Sequence, residues 1–308
     1  MPQSGHPAFC LGGIQSSRGG KHFVRLLLIG DVVGRPGRRA VSTLLPSLVS
    51  ECGVDLVIAN GENAAGGLGL TRETADELFG AGVHVLTTGN HVWDRKEIFQ
   101  FIDDEPRILR PANFPPGTPG RGWMVLDTPA GHRVAVVNLM GRTFMDAIDC
   151  PFRAAEQLLQ ELATRARCIV VDFHAEATAE KVAMGWFLDG RASVVFGTHT
   201  HVPTADERVL PGGTAYITDL GMTGPMNGVI GMKRQAVIEH ALTRLPRRFE
   251  VAEGPVRMDM ALVELDPSSG RALSIRRLHR FLPDEASGPA GLETQAPGSD
   301  GREAPEPD

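Results

Sequence analysis

Short apolar runs alternate with helical stretches along this chain, and this alternation is the feature that most restricts its fold. The first three runs cover residues 24–29, 54–59 and 83–88, and stretches of helical character over 36–51 and 71–80 separate them. A β-α-β-α-β order predicts a parallel sheet with right-handed crossover connections. Apolar residues are 42% of the chain and charged residues 22%, which is typical of a soluble globular protein.

The later part of the chain continues with strands, hairpins and helices. The predicted strands cover residues 123–128, 133–139, 168–173, 193–197, 256–265 and 271–281, with a further hairpin within 205–218. The predicted helices cover residues 94–101, 151–165, 178–188 and 232–243. Thr71 is a predicted N-cap, and Asp94 with Glu97 three residues later forms a capping-box pattern. These elements predict an α/β fold built on two sheets.

The two ends of the chain differ from its body. The last 26 residues hold seven acidic side chains and one arginine, so they account for the whole formal charge of −6. Residues 1–22 and 283–308 are predicted to be disordered, the latter as an acidic tail rich in proline and glycine. Residues 23–282 are predicted to form a single domain. Because this body is neutral, it does not indicate a surface for duplex nucleic acid.

The cysteines and the lengths of the apolar runs indicate which cellular environment the chain suits. The four cysteines lie far apart without a CxxC pair, so they predict neither a disulfide scaffold nor a zinc ribbon. This usage favours a reducing, cytoplasmic environment. No unbroken apolar run exceeds four residues, which argues against a transmembrane helix and a membrane partner.

Polar side chains able to bind metal follow five of the predicted strands. These residues are Asp31, Glu62, Asn63, Asn90, His91, His174, His199 and His201. In open α/β sheets the carboxyl ends of the strands meet in one crevice, so the side chains are expected to converge there. A mixed oxygen and nitrogen donor set suits manganese, iron, zinc or cobalt better than calcium. Two such ions about 3.5–4 Å apart can hold a phosphoryl group.

The order of these motifs resembles a known superfamily. The run consists of Gly30-Asp31, Gly61-Glu62-Asn63, Gly89-Asn90-His91, His174 and Gly197-Thr198-His199-Thr200-His201. It is similar to the calcineurin-like metallophosphoesterases, with Val33 in place of a histidine and Glu62 in place of an aspartate. These departures resemble the bacterial YmdB-like subfamily, which shares Gly-Asp-x-x-Gly, Asn-Gly-Glu-Asn-Ala and Gly-Asn-His-x-Trp-Asp. The similarity spans roughly residues 24–282.

The resemblance implies a fold, a metal centre and an activity. The fold is a four-layer α/β/β/α sandwich of the metallophosphoesterase type. The centre holds two divalent or mixed-valence ions, most commonly iron or manganese. The activity is hydrolysis of 2′,3′-cyclic nucleotides to nucleoside monophosphates, with hydroxide at the metal pair attacking phosphorus. By resemblance, one ion is held by Asp31, Glu62, Asn63 and His201, and the other by the bridging Glu62 with Asn90, His174 and His199.

His91 lies beside this set but has no place in either ligand group. Our hypothesis is that its imidazole donates a proton to the departing ribose oxygen. The alternative is a structural histidine at a helix start. Asp94 either orients His91 or caps the next helix, and the presence of Glu97 favours the cap.

Two other functions remain open at this stage. One is a nuclease or phosphomonoesterase that uses the same site, and the other is a non-catalytic, metal-binding regulatory protein. The neutral body argues against long nucleic acid as a partner, because phosphate backbones are usually met by clustered Lys and Arg. RNA-derived ends and a second copy of the chain remain candidate partners beside the cyclic nucleotide.

Overall fold

The computed structural model describes residues 23–283. The predictions for residues 1–22 and for the tail beyond Pro283 lie outside the described residues. The strands are β1 (Val24–Ile29), β2 (Asp31–Val32), β3 (Leu56–Asn60), β4 (Val85–Thr87), β5 (Ile108–Leu109), β6 (Trp123–Asp127), β7 (Arg133–Met140), β8 (Cys168–His174), β9 (Val194–Thr198), β10 (Arg208–Val209), β11 (Ala215–Ile217), β12 (Met222–Pro225), β13 (Val256–Leu265) and β14 (Ala272–Leu282). The α-helices are α1 (Gly34–Cys52), α2 (Arg72–Gly80), α3 (Pro151–Leu162), α4 (Thr178–Phe187) and α5 (Arg234–Thr243).

The strands form two sheets within the described range. The first has the order β2-β12-β13-β1-β3-β4-β5, with β14 paired to β13, and the second has the order β10-β11-β9-β8-β7-β6. Strands β1, β3, β4 and β5 run parallel, which confirms the prediction from the first half of the chain. In the second sheet β7, β8 and β9 run parallel to one another. The long C-terminal strand β13 pairs antiparallel with β1 in the middle of the first sheet.

Three apolar clusters show how the sheets and helices stack. Leu27 of β1 belongs to a cluster with Leu45 of α1, on the outer face of the first sheet. Leu28 points to the other face and belongs to a cluster with Val170 of β8, between the two sheets. Val171 of β8 belongs to a third cluster that includes residues of α3 and α4. Alternate residues of one strand therefore reach different layers, and the predicted α/β/β/α order is confirmed.

Local signals explain where the helices begin and end. The Thr71 side chain accepts a hydrogen bond from the Thr74 backbone N–H and completes a capping box, so the predicted N-cap of α2 is confirmed. Helix α1 ends at Gly53, which has a left-handed φ of 60° that glycine adopts at no steric cost. Within residues 23–283, no helix is both long and apolar enough to cross a membrane.

The prediction of a capped helix over residues 94–101 is wrong. The segment 94–101 contains only a 3₁₀ helix over Lys96–Gln100, and neither Asp94 nor any other side chain caps its start. Glu97 instead accepts a hydrogen bond from the Arg72 backbone N–H, at the first residue of α2. The helix predicted near residues 151–165 is confirmed as α3, which ends at Leu162.

Candidate metal centre

The polar residues that follow the strands meet where parallel strands of both sheets end. Asp31 comes after β1, Glu62 and Asn63 after β3, and Asn90 and His91 after β4. From the second sheet, His174 is the last residue of β8, and His199 and His201 come directly after β9. The two sheets therefore bring the predicted residues to one edge of the molecule, as the order of the strands led us to expect.

Four lone-pair atoms crowd together around His174. Its Nε2 lies 2.9 Å from Asn90 Oδ1, 3.0 Å from Glu62 Oε1 and 3.1 Å from His199 Nδ1. The ligand atoms of Glu62, His174 and His199 all lie within 4.8 Å of one another. One imidazole nitrogen carries at most one proton, so it cannot satisfy three acceptors. A metal ion bound by all four atoms would resolve this crowding.

Hydrogen bonds on the far side of His174 fix its tautomer. Nδ1 lies 2.9 Å from Thr198 Oγ1, and this hydroxyl donates to Asp172 Oδ1 at 2.7 Å. The ring therefore donates through Nδ1 and keeps the Nε2 lone pair for the cluster. Asp172 is fully buried, and burial raises its pKa to about 7 against the opposing effect of the His174 charge. The motif comparison missed both Thr198 and Asp172 as supporting residues.

His199 is oriented in a similar way. Its Nε2 lies 3.0 Å from Glu176 Oε2, so Nε2–H donates to the carboxylate and Nδ1 presents a lone pair to the cluster. The sequence analysis missed Glu176, although it lies only two residues after His174. His199 and His201 have left-handed φ values of 97° and 64°, which are uncommon for residues other than glycine. Backbone strain of this kind concentrates at functional sites.

Two buried acceptors without hydrogen-bond partners form the other part of the site. They are Asp31 Oδ1 and Asn63 Oδ1. Leaving a buried oxygen without a donor costs about 1–3 kcal/mol, and more when it is charged. A cation satisfies such oxygens together, so the donor set fits a metal ion on this observation alone.

His201 completes this second group. Its Nε2 lies 3.7 Å from Asp31 Oδ1, and its Nδ1 donates to the Ile230 carbonyl at 2.9 Å. The carbonyl holds the proton on Nδ1 and leaves Nε2 free as a ligand. Asn63 Nδ2 donates to the Gly67 carbonyl, which leaves its Oδ1 available for the site.

The ionisation of the site follows from burial and from its mixed charges. Burial raises the pKa of Asp31, with the His201 imidazole acting in the opposite direction. Burial also opposes ionisation of Glu62, but the charge and hydrogen bond of His174 together with the contacts of His91 outweigh it and lower the pKa of Glu62 to about 2. Burial disfavours the charged form of His174, yet Glu62 and Asp31 together raise its pKa. A metal ion competes with a proton for the Nε2 lone pair of His174, because the negative charges of Glu62 and Asp31 attract both.

His199 differs from His174 in the direction of its pKa shift. Burial, followed by repulsion from the His174 charge, lowers the pKa of His199 to about 3. Its ring is therefore neutral at pH 7, which is the form that binds a metal.

His91 lies beside the ligand cluster and makes different contacts. Its backbone N–H donates to Glu62 Oε2 at 3.1 Å, and its Nδ1 lies 2.8 Å from Asp94 Oδ2. The side chain is 30% exposed, so it is open to a bound ligand. Asp94 therefore orients His91. The predicted role of Asp94 as a helix cap is wrong, because its carboxylate contacts the His91 ring and no side chain caps the 3₁₀ helix that follows.

Gly89 allows the two sheets to approach at the site. A Cβ atom at this position would lie 2.1 Å from Cδ2 of His174, far inside van der Waals contact. Only glycine places the loop after β4, and hence Asn90, against the His174 ring.

A buried ion pair supports the segment that carries the two strained histidines. Lys181 Nζ donates to Asp219 Oδ2 at 2.6 Å, and the two side chains are only 2% and 1% exposed. The same oxygen accepts the Thr200 hydroxyl at 2.8 Å, and Thr200 lies between His199 and His201. The ion pair thus links α4 to the ligand segment.

Replacing Lys181 with methionine is expected to destabilise the protein by about 3–5 kcal/mol, because Asp219 then stays buried without its counter-charge. Urea unfolding of the two proteins measures this change. The matched control is Lys233→Met, which removes an exposed pair with Glu250 and should change stability far less. Equal losses in the two variants would contradict the role assigned to the buried pair.

Comparisons with known proteins agree with this geometry. The family model of YmdB-like proteins matches residues 27–278. A 2′,3′-cyclic-nucleotide 2′-phosphodiesterase of Bacillus subtilis is 51% identical over 255 residues, which cover 83% of this chain and 96% of the relative. A putative phosphatase/phosphodiesterase of Mycoplasma pneumoniae is 34% identical over 271 residues, covering 85% of this chain and 94% of the relative.

Two solved structures have the same fold. A hypothetical protein from Thermus thermophilus superposes with a TM-score of 0.80 at 45% identity, covering 84% of this chain and all of the other. A phosphatase from Mycoplasma pneumoniae superposes with a TM-score of 0.80 at 32% identity, covering 86% of this chain and 95% of the other. Since the family model and these relatives each span more than four fifths of the sequence, the chain belongs to the YmdB-like protein family.

Proposed function

We propose that this protein is a metal-dependent phosphodiesterase that opens 2′,3′-cyclic nucleotides to nucleoside monophosphates. The observation that carries the proposal is the convergence of three lone-pair atoms on His174 Nε2, beside two buried acceptors without partners, Asp31 Oδ1 and Asn63 Oδ1. The substrate class comes from the Bacillus subtilis relative, whose name specifies the 2′ bond. Cleavage of that bond gives a nucleoside 3′-phosphate.

The ligand roles follow the two groups of atoms. Glu62, Asn90, His174 and His199 would hold one ion, and Asp31, Glu62, Asn63 and His201 would hold the other, with Glu62 contributing to both. Iron or manganese is the proposed metal, because mixed carboxylate, amide and imidazole donors suit both. When bound, the ions withdraw charge from the phosphoryl oxygens and make water a stronger nucleophile at neutral pH.

His91 is the proposed proton donor to the leaving group. The departing 2′ oxygen is an alkoxide of high basicity, so its loss needs a proton donor. Asp94 accepts from Nδ1 of His91, and this leaves Nε2 to carry the proton toward the substrate. The backbone N–H of His91 also donates to Glu62, so the acid is attached to a metal-ligating residue.

The remaining predictions concern the biological setting. We propose that cyclic phosphates at RNA-derived ends belong to the same substrate class, since they carry the same five-membered ring. Homo-oligomer formation and a cytoplasmic location stay predictions from the sequence.

Hydrolysis assays with added manganese, or with iron under anaerobic conditions, test the proposal. We expect turnover of 2′,3′-cyclic AMP, little turnover of 3′,5′-cyclic AMP, and adenosine 3′-phosphate as the product on chromatography. Turnover of bis(4-nitrophenyl) phosphate alone would support the metal centre and contradict the substrate. A fully metal-loaded protein that is inert toward every phosphodiester would favour a regulatory role.

A further inference from the structure

Phe144 is an aromatic residue that the fold leaves outside its core. It is 89% exposed, the largest exposed fraction among the large apolar side chains of residues 23–283. Its φ of 62° lies in the left-handed region, which is strained for a bulky residue. Strain of this kind in the backbone of a bulky residue persists mainly where function requires it.

The turn that carries Phe144 is firmly attached to the protein. The Gly141 backbone N–H donates to the His174 carbonyl at 2.9 Å. The backbone N–H groups of Arg142 and Thr143 each donate to the Glu180 carboxylate at 3.2 Å, on α4. The Met145 N–H then returns to the Arg142 carbonyl and closes the turn. The hydrogen-bonded turn therefore fixes the position of the exposed Phe144.

The turn also lies at the edge of the sheet that holds the metal centre. Strand β7 runs parallel to β8, and Met140 at its end is in register with His174. Phe144 is three residues beyond Gly141, so the two Cα atoms are at most about 11 Å apart. Because the Gly141 N–H is bonded to the His174 carbonyl, the turn reaches outward from beside the metal centre over a length comparable to that between the cyclic phosphate of a nucleoside and the far edge of its base.

We propose that Phe144 is a specificity-determining residue that stacks on the nucleobase of the substrate. The inference rests on the proposed function, because the cyclic phosphate at the metal centre is what brings the base to this turn. A phenyl ring stacks on any base and favours purines for their larger face. The ring adds affinity for nucleosides without contacting the reacting phosphorus.

The test compares substrates with and without a base. Phe144→Ala is expected to raise KM for 2′,3′-cyclic AMP by roughly 5- to 150-fold, the range found for loss of one stacking contact, with little change in kcat. The methyl riboside 2′,3′-cyclic phosphate, which has no base, should be hydrolysed equally well by the variant and the unmodified protein. Phe144→Trp should restore the low KM, and Phe144→Leu should not.

Leu242→Ala is the matched control, since Leu242 is 80% exposed on α5 and has no role in the proposal. The stacking role is overturned if Phe144→Ala leaves KM for cyclic AMP unchanged, or if both substrates lose affinity equally. Calorimetric titration with adenosine 3′-phosphate and ribose 3-phosphate measures the same selectivity without turnover. A protein inert toward 2′,3′-cyclic AMP that still prefers the adenosine compound through Phe144 would overturn the proposed reaction and support the stacking role.

Discussion

Replacing Glu62 with glutamine is expected to abolish hydrolysis of 2′,3′-cyclic AMP and to lower the metal content of the purified protein. The amide keeps the size of the side chain but removes the negative charge that both proposed ions share. The ions contribute several kcal/mol of transition-state stabilisation, so kcat/KM should fall by roughly 10³-fold or more. Elemental analysis and steady-state kinetics on the same preparation measure the two effects.

Two further variants serve as comparisons, one at a supporting contact and one at an unrelated exposed carboxylate. Glu176→Gln weakens only the hydrogen bond to His199 Nε2, and loss of such a supporting contact typically costs about 10- to 100-fold in activity or metal affinity. Glu161→Gln removes an exposed carboxylate that pairs with Arg165, and it should behave like the unmodified protein. Full metal content and normal turnover in Glu62→Gln would eliminate Glu62 as the shared ligand.

The sequence predicts the strands and the candidate ligand residues for the same physical reason. Residues of β1 such as Leu27 and Leu28 are buried on both faces, which produces an unbroken apolar run that periodicity detects. The first charged residue after such a run, Asp31, then marks the carboxyl end of the strand. Convergence of these ends follows from parallel order, so the grouping of these side chains could be predicted before any distance was known.

What the sequence does not predict depends on contacts between distant segments. Strand β2 has only two residues, and it exists because Asp31 and Val32 pair with β12, far along the chain. The supporting roles of Asp172 and Glu176 likewise depend on where the fold places their partners. Asp94 is the clearest example of a contact that the sequence does not decide. Its spacing from Glu97 fits a capping box, and only the structure shows that it contacts His91.

His91→Ala is expected to lower kcat for 2′,3′-cyclic AMP by about 10²- to 10⁴-fold while the metal content stays unchanged. The reason is the leaving group, since the ribose 2′ oxygen needs a proton as its bond to phosphorus breaks. A 4-nitrophenolate leaves without one, so hydrolysis of bis(4-nitrophenyl) phosphate should be affected far less. Assays of both substrates with the variant and the unmodified protein measure the difference in rate.

The comparison of leaving groups separates a proton donor from a ligand and from a structural residue. A ligand role would lower the metal content and slow both substrates together, since both depend on the ions. A structural role would lower the free energy of unfolding without changing the ratio of the two rates. Asp94→Asn should give a smaller loss in the same direction as His91→Ala, because the amide still contacts Nδ1 but no longer carries the charge that complements a protonated ring. Selective loss of cyclic AMP turnover with metal retained is therefore the result that only a proton donor at His91 explains.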